Sequence, residues 1–190
     1  MAELTIALAG NPNAGKTTIF NALTGLRQHT GNWPGKTVEK KEGEVEFGGM
    51  VLSIVDLPGT YSLTAYSPEE IIARDFIIEE RPDVVIDVVD ATNLERNLYL
   101  TVQLLELDVP VVIALNMADD LDRDGAKIDV GHLSQLLGGV PIVATTANQG
   151  RGIPDLISRA IHAAGKGQFI PPHRMRRRRR FQHHRRGSWS

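Results

Sequence analysis

Gly10-Asn11-Pro12-Asn13-Ala14-Gly15-Lys16-Thr17 decides how this chain folds. The stretch satisfies every fixed position of G-x-x-x-x-G-K-[ST], the phosphate-binding loop. It is framed by a short apolar run, Leu4 to Ala9, which reads as a strand, and by Thr18 to Leu23, which reads as the opening of a helix. A strand that ends in a glycine-rich turn aims several backbone N–H groups at a helix N-terminus, and that concavity holds a polyphosphate. Lys16 would reach the β- and γ-phosphates, with Thr17 supplying a hydroxyl to Mg²⁺ and Asn11 to Thr18 lining the nucleotide.

Working outward, apolar strand-like runs recur at 4–9, 51–55, 84–89, 111–115 and 140–144. Between the later ones lie stripes at helical spacing: Ile71, Ile72, Phe76 and Ile77 after Ser67-Pro68-Glu69, then Leu94, Leu98, Val102 and Leu105, then Val130 to Leu137, and last Asp155 to Ala164. Residues 38–47 read as one more strand, turned by Gly48-Gly49 into 50–56. The alternation predicts an α/β fold: a mostly parallel six-stranded sheet with one antiparallel edge strand and helices on both faces. In such sheets ligands sit beyond the strand C-termini.

The 190 residues carry 42% hydrophobic side chains, enough for one packed domain, and no cysteine, which excludes disulfides and thiolate metal sites. No secretory leader is visible at Met1-Ala2-Glu3, and no apolar run is long enough to span a bilayer, so the chain itself is expected to be soluble. The net charge of −2 conceals a split, because eight of the 21 basic residues are arginines within 171–190. The first 170 residues hold the other 13 against 23 acids, a net of −10, which is not a basic nucleic-acid-binding fold. The expected division is a domain over 1–165 and a disordered basic tail over 166–190. That tail is an expression artefact, a truncation product or a basic arm. The histidines show no metal-binding spacing.

Three further loops follow strand ends. Asp56-Leu57-Pro58-Gly59 suits an Asp that holds Mg²⁺ through water and a glycine whose N–H approaches the γ-phosphate. Asn116-Met117-Ala118-Asp119 suits purine reading, because an ionised carboxylate accepts from the adjacent N1–H and N2–H₂ donors of guanine, a pair adenine lacks. A helix cap is the plainer use of that Asp. Met117 stands where such loops usually carry Lys, and its flexible thioether suits packing against a base. Thr145-Thr146-Ala147-Asn148 sits where a loop would lend a backbone N–H to guanine O6. Between the first helix and the edge strand, Arg27 to Val38 reads as a mobile Gly- and Pro-bearing loop. In it Gly35 and Thr37 are candidate nucleotide contacts, Thr37 as a second Mg²⁺ ligand, and Trp33 is expected to be half exposed.

Taken together, Gly10 to Thr18, Gly31-Asn32-Trp33-Pro34-Gly35-Lys36-Thr37-Val38, Asp56 to Leu63 and Asn116 to Asp119 resemble the GTPase domain of FeoB-type ferrous-iron transporters. The loop around Trp33 is the most specific element, and the resemblance covers residues 3 to about 165. It implies a Ras-like G domain of the P-loop NTPase class that binds GTP and GDP with Mg²⁺ and hydrolyses GTP slowly. Catalysis would rest on Lys16, Asn13, Thr37 and Gly59. The implied location is the cytoplasmic side of the inner membrane, joined to a membrane transporter region that this chain lacks. The resemblance also implies a bound K⁺ held by the Asn13 side chain and the Gly31 and Trp33 carbonyls. Oligomer formation is left open, and nucleic acid is not an expected partner of the domain. Two other functions remain on the sequence alone. Thr60 replaces the glutamine that positions water in Ras-like enzymes, which leaves a non-hydrolysing guanine-nucleotide sensor, and the arginine tail leaves an RNA- or ribosome-associated GTPase.

Overall fold

The structure, a computed structural model, describes residues 3–123 and 125–165. Seven strands form one sheet: β1 (Glu3–Gly10), β2 (Gln28–Asn32), β3 (Glu39–Phe47), β4 (Met50–Asp56), β5 (Val84–Asp90), β6 (Val111–Asn116) and β7 (Ile142–Thr145). Their order is β2-β3-β4-β1-β5-β6-β7. The five strands from β4 to β7 run parallel, and β3 and β2 continue the sheet antiparallel. The Gly48-Gly49 turn has positive φ at both residues, 58° and 80°, the conformation a two-residue hairpin needs.

Alternation along the strands sends side chains to two separate cores. On one face α1 (Lys16–Thr24) and α6 (Ile153–Gly165) pack Ile19, Phe20, Leu156 and Ile157 against Ile6, Leu8 and Ile86. On the other, α2 (Pro68–Asp75) and α3 (Leu94–Glu106) pack Ile72, Leu100 and Leu104 against Ala7, Val85 and Ile113. Two short helices, α4 (Ala118–Arg123) and α5 (Val130–Leu136), complete the set. The cap at Ser67 forms as the sequence requires: its hydroxyl accepts from Glu70 N at 3.1 Å, with Pro68 in the first turn.

The sheet has one strand more than the pattern predicts. Gln28 to Asn32, expected in a mobile loop, pairs with Lys40, Lys41 and their neighbours as the outermost strand. Trp33 is also not half exposed. It is 7% exposed, packed edge-to-face on Phe76 with ring centroids 5.6 Å apart, and the Lys40 ammonium lies 5.0 Å from its ring. The indole prevails over the polar composition of its loop because a large apolar ring gains more from burial than the loop loses by ordering. Phe76 itself begins a π-helical turn, Phe76–Glu80, which widens the end of α2. The arginine tail lies outside the described residues.

Candidate functional site

Because β4, β1, β5, β6 and β7 are parallel, Asp56, Gly10, Asp90, Asn116 and Thr145 all end at one edge of the sheet. Chain connections leave β1 toward β4 on one side and reach β5 on the other, so β1 is the switch point where a crevice opens. The phosphate-loop sequence occupies that crevice. Asn13 adopts left-handed φ of 65°, which Asn tolerates, and Ala14 N donates to Asn11 O at 3.2 Å to close the turn. Gly15 has φ of 91°, and a Cβ there would lie 2.1 Å from Asn116 Nδ2, so the position admits no side chain. The loop feeds directly into α1, whose first residue is Lys16.

Lys16 Nζ pairs with Asp56 Oδ1, and both side chains are nearly buried. The pair joins the phosphate loop to the end of β4. Leu57 N donates to Leu8 O at 3.0 Å and Thr60 N to Gly10 O at 3.1 Å, which lays the Asp56–Thr60 loop along β1. A Cβ on Gly59 would meet Pro12 Cα and N at 3.3 Å, so glycine is what permits this close approach. Beyond Thr60, Ser62 Oγ and Thr64 Oγ1 donate to Glu70 at 2.8 and 3.1 Å, and Tyr66 N donates at 2.9 Å. The Tyr66 amide, followed by Ser62, holds the Glu70 carboxyl below its ordinary value.

At the same N-terminal end of α1, Asn116 is 3% exposed and binds three elements. Its Nδ2 donates to Ala14 O at 3.1 Å, and its Oδ1 accepts from Thr145 Oγ1 and Ala147 N, each at 3.2 Å. Met117 follows in left-handed φ of 60°. Asp119 lies in the first turn of α4, where Thr146 Oγ1 donates to its Oδ1 at 3.4 Å. A cavity of about 230 Å³ opens among Gly15, Thr18, Asn116, Met117, Asp119, Thr146, Ala147 and Asn148. The residues expected to read a purine therefore line one cavity with Gly15 of the phosphate-loop sequence. Thr145 heads the Thr145–Asn148 loop that the sequence marked, and the structure adds its own part there: its hydroxyl donates to Asn116 Oδ1.

The loop residues expected to join them are elsewhere. Gly31 lies in β2 opposite Lys40, three strands from β1, or roughly 14 Å at the usual strand spacing. Trp33 N donates to Val38 O at 2.9 Å, and its carbonyl accepts from Lys36 N at 3.0 Å. Gly35 and Thr37 are exposed in the turn between β2 and β3. The K⁺ set of Asn13, Gly31 and Trp33 is thus not assembled in this conformation. The donors for Mg²⁺ do suit a hard cation: the Asp56 carboxylate and Thr17 hydroxyl are oxygens that leave room for the waters Mg²⁺ retains. Among the described residues no cluster of three or more His, Cys, Asp and Glu side chains is placed to hold a metal, and no helix is long and apolar enough to cross a membrane.

Residues 4–160 match the family model of ferrous iron transport protein B. The chain is 53% identical over 160 residues to the Fe(2+) transporter FeoB of Salmonella typhimurium, covering 82% of this chain and 21% of that protein. It is 50% identical over 174 residues to an Fe(2+) transport protein A/FeoB fusion protein of Porphyromonas gingivalis, covering 90% of this chain and 20% of that one. The chain thus spans about a fifth of the curated relatives it matches. Among solved structures it superposes on the FeoB G-domain of Methanococcus jannaschii with a TM-score of 0.77 and 50% identity, covering 87% of this chain and 99% of that one. A mutant S. thermophilus NFeoB bound to mGDP gives 0.81 and 52%, with coverage of 88% and 62%. A phosphate loop, a D-x-x-G turn and an N-x-x-D loop gathered on one sheet edge, with this likeness over most of the length, make the chain a member of the ferrous iron transport protein B family.

Proposed function

We propose that this chain is a guanine-nucleotide-binding domain that hydrolyses GTP to GDP and phosphate, slowly and with stimulation by K⁺, as the cytoplasmic regulatory domain of a ferrous-iron transporter. The observation that carries this is the single cleft in which Asn116 ties the phosphate loop at Ala14 to the Thr145–Ala147 turn. In it, the amides of Asn13 to Thr17 and the Lys16 ammonium bind the polyphosphate, with the helix N-terminus adding favourable potential. Asp119 accepts from guanine, and Met117 packs against the base. Thr17 and Asp56, with Thr37 as a further ligand, would hold Mg²⁺, which would supply charge neutralisation to the phosphates. Gly59 N–H donates to the γ-phosphate. Thr37, Gly31 and Trp33 reach the site only if residues 28–38 leave their place beside β3, so K⁺ stimulation and triphosphate recognition both belong to a rearranged loop.

Binding of fluorescent GDP and GTP, followed by single-turnover hydrolysis in K⁺ against Na⁺, tests this directly. The expected result is Mg²⁺-dependent binding, lost in Lys16→Ala, and turnover faster in K⁺. Asn13→Ala should erase the K⁺ response while largely sparing affinity. Binding that survives Lys16→Ala would refute the phosphate-loop assignment. A second function, nucleotide sensing without turnover, is favoured only by Thr60, a side chain that supplies no amide to orient water. Equal and negligible turnover in both salts would select it.

A further inference from the structure

Arg96 stands in the first turns of α3 and makes two contacts that reach in different directions. Its guanidinium carbon lies 4.1 Å from the centroid of the Tyr61 ring. Its carbonyl oxygen accepts from Asn11 Nδ2 at 3.4 Å. One residue therefore touches the loop after Gly59 through its side chain and the phosphate loop through its main chain. Between them lies a cavity of about 200 Å³ lined by Asn11, Pro12, Asn13, Tyr61, Asp90 and Arg96, among others. Asn11 Oδ1 is buried at its wall without a hydrogen-bond partner among the described residues.

The segment that Arg96 grips is anchored on both sides of Tyr61 but not at it. Leu57 and Leu63 are buried in the core and Thr60 N donates to Gly10 O, whereas residues 57–66 form no helix or strand and Tyr61 itself is 42% exposed, so its side chain is left to Arg96. Seven residues along the same helix, Gln103 Oε1 accepts from Leu63 N at 2.7 Å. Positions seven apart share a helix face, so α3 acts as a splint that holds the loop at 61 and again at 63. Thr60 between Gly59 and Tyr61 is buried and carries a short hydroxyl in place of the longer carboxamide of a glutamine, which leaves the orienting of water to backbone whose placement Arg96 can influence.

We propose that Arg96 is a positioning residue for GTP hydrolysis: stacked on Tyr61 and anchored at Asn11, it holds the Gly59–Tyr61 backbone at the height the γ-phosphate and attacking water require. The role rests on the hydrolytic function proposed above. The test is single-turnover hydrolysis and GDP affinity of the 190-residue chain and its Arg96→Ala, Arg96→Lys, Tyr61→Phe and Tyr61→Leu variants, with thermal melts alongside. Arg96→Ala should slow hydrolysis by about fivefold, the scale of a partly exposed cation–π contact, with GDP affinity unchanged within about twofold. Arg96→Lys should recover part of the rate, because an ammonium also sits over a ring, and Tyr61→Phe should retain it. Tyr61→Leu should match Arg96→Ala, and the double variant should be no slower than either. Wild-type turnover by Arg96→Ala, multiplicative losses in the double variant, or equal losses of affinity and rate would each overturn the role. A wild-type chain that binds GTP without turnover would instead refute the hydrolytic function, and this role with it.

Discussion

Asp87 is the group through which pH should act most strongly on the stability of this fold. It lies at the centre of β5, 1% exposed, and the Thr101 hydroxyl on α3 donates to its Oδ2 at 2.5 Å. Burial pushes the carboxyl up from 3.8 to about 7, a rise the Thr101 hydroxyl partly opposes. Between these values the folded chain holds a proton that the unfolded chain has released. The unfolded state therefore binds fewer protons, and stability falls as pH rises through the window from about 4 to 7. A shift of roughly three units corresponds to about 4 kcal/mol, lost at about 1.4 kcal/mol per pH unit and fully lost above the folded value. Asp87→Asn keeps an oxygen for Thr101 and removes the titration. Urea unfolding of both proteins at pH 5, 6, 7 and 8 should show the variant gaining on the wild type from pH 5 to about 7, by roughly 2–3 kcal/mol, and then levelling off. A stability difference independent of pH would refute the assignment of a protonated carboxyl to this position.

Asn116→Ala removes three buried hydrogen bonds at once and should cost about 2–4 kcal/mol in chemical denaturation. It should also weaken GDP binding by at least tenfold, and unchanged GDP affinity would detach the residue from the site. Asp119→Asn should move base preference from guanine toward xanthine, whose C2 carbonyl accepts where the guanine amine donates; competition binding with GDP and XDP reads the switch, and persistent guanine preference would defeat it. Trp33→Ala should release the β2–β3 pairing while leaving the rest of the sheet intact. Hydrogen exchange should then quicken selectively at amides of residues 28–38, and unchanged protection there would show that the strand stands without its anchor.

The functional loops were legible because backbone needs force particular residues on them. Gly15 and Gly59 are glycine for reasons of space that the structure now states in distances, and the motif spacing carries those constraints in the sequence. The parallel strands were legible because burial on both faces makes them continuous apolar runs, as in Val111 to Leu115. β2 was not legible. Gln28-His29-Thr30-Gly31-Asn32 has no apolar alternation, and four of its five residues are exposed, so it is held by ladder bonds and by the indole that follows it. The α4 helix was missed for a related reason: Ala118-Asp119-Asp120-Leu121-Asp122-Arg123 carries no stripe, and acids in its first turn suit a helix N-terminus whatever else they do. The π-helical turn at Phe76–Glu80 lay within a run whose apolar spacing continues smoothly from α2, so nothing in the pattern marks the extra residue per turn.

The buried ion pair between Lys16 and Asp56 carries a thermodynamic consequence for how the site fills. On the function proposed above, a polyphosphate would claim the lysine and a divalent cation the aspartate, so either alone would strand the opposite charge with little solvent to screen it. Arriving jointly, they replace one neutral couple by two. Linkage then requires that each raise the affinity for the other by the same factor. A locked reserve of this kind would make free metal a poor occupant and the metal–nucleotide complex the species that the cleft is expected to select.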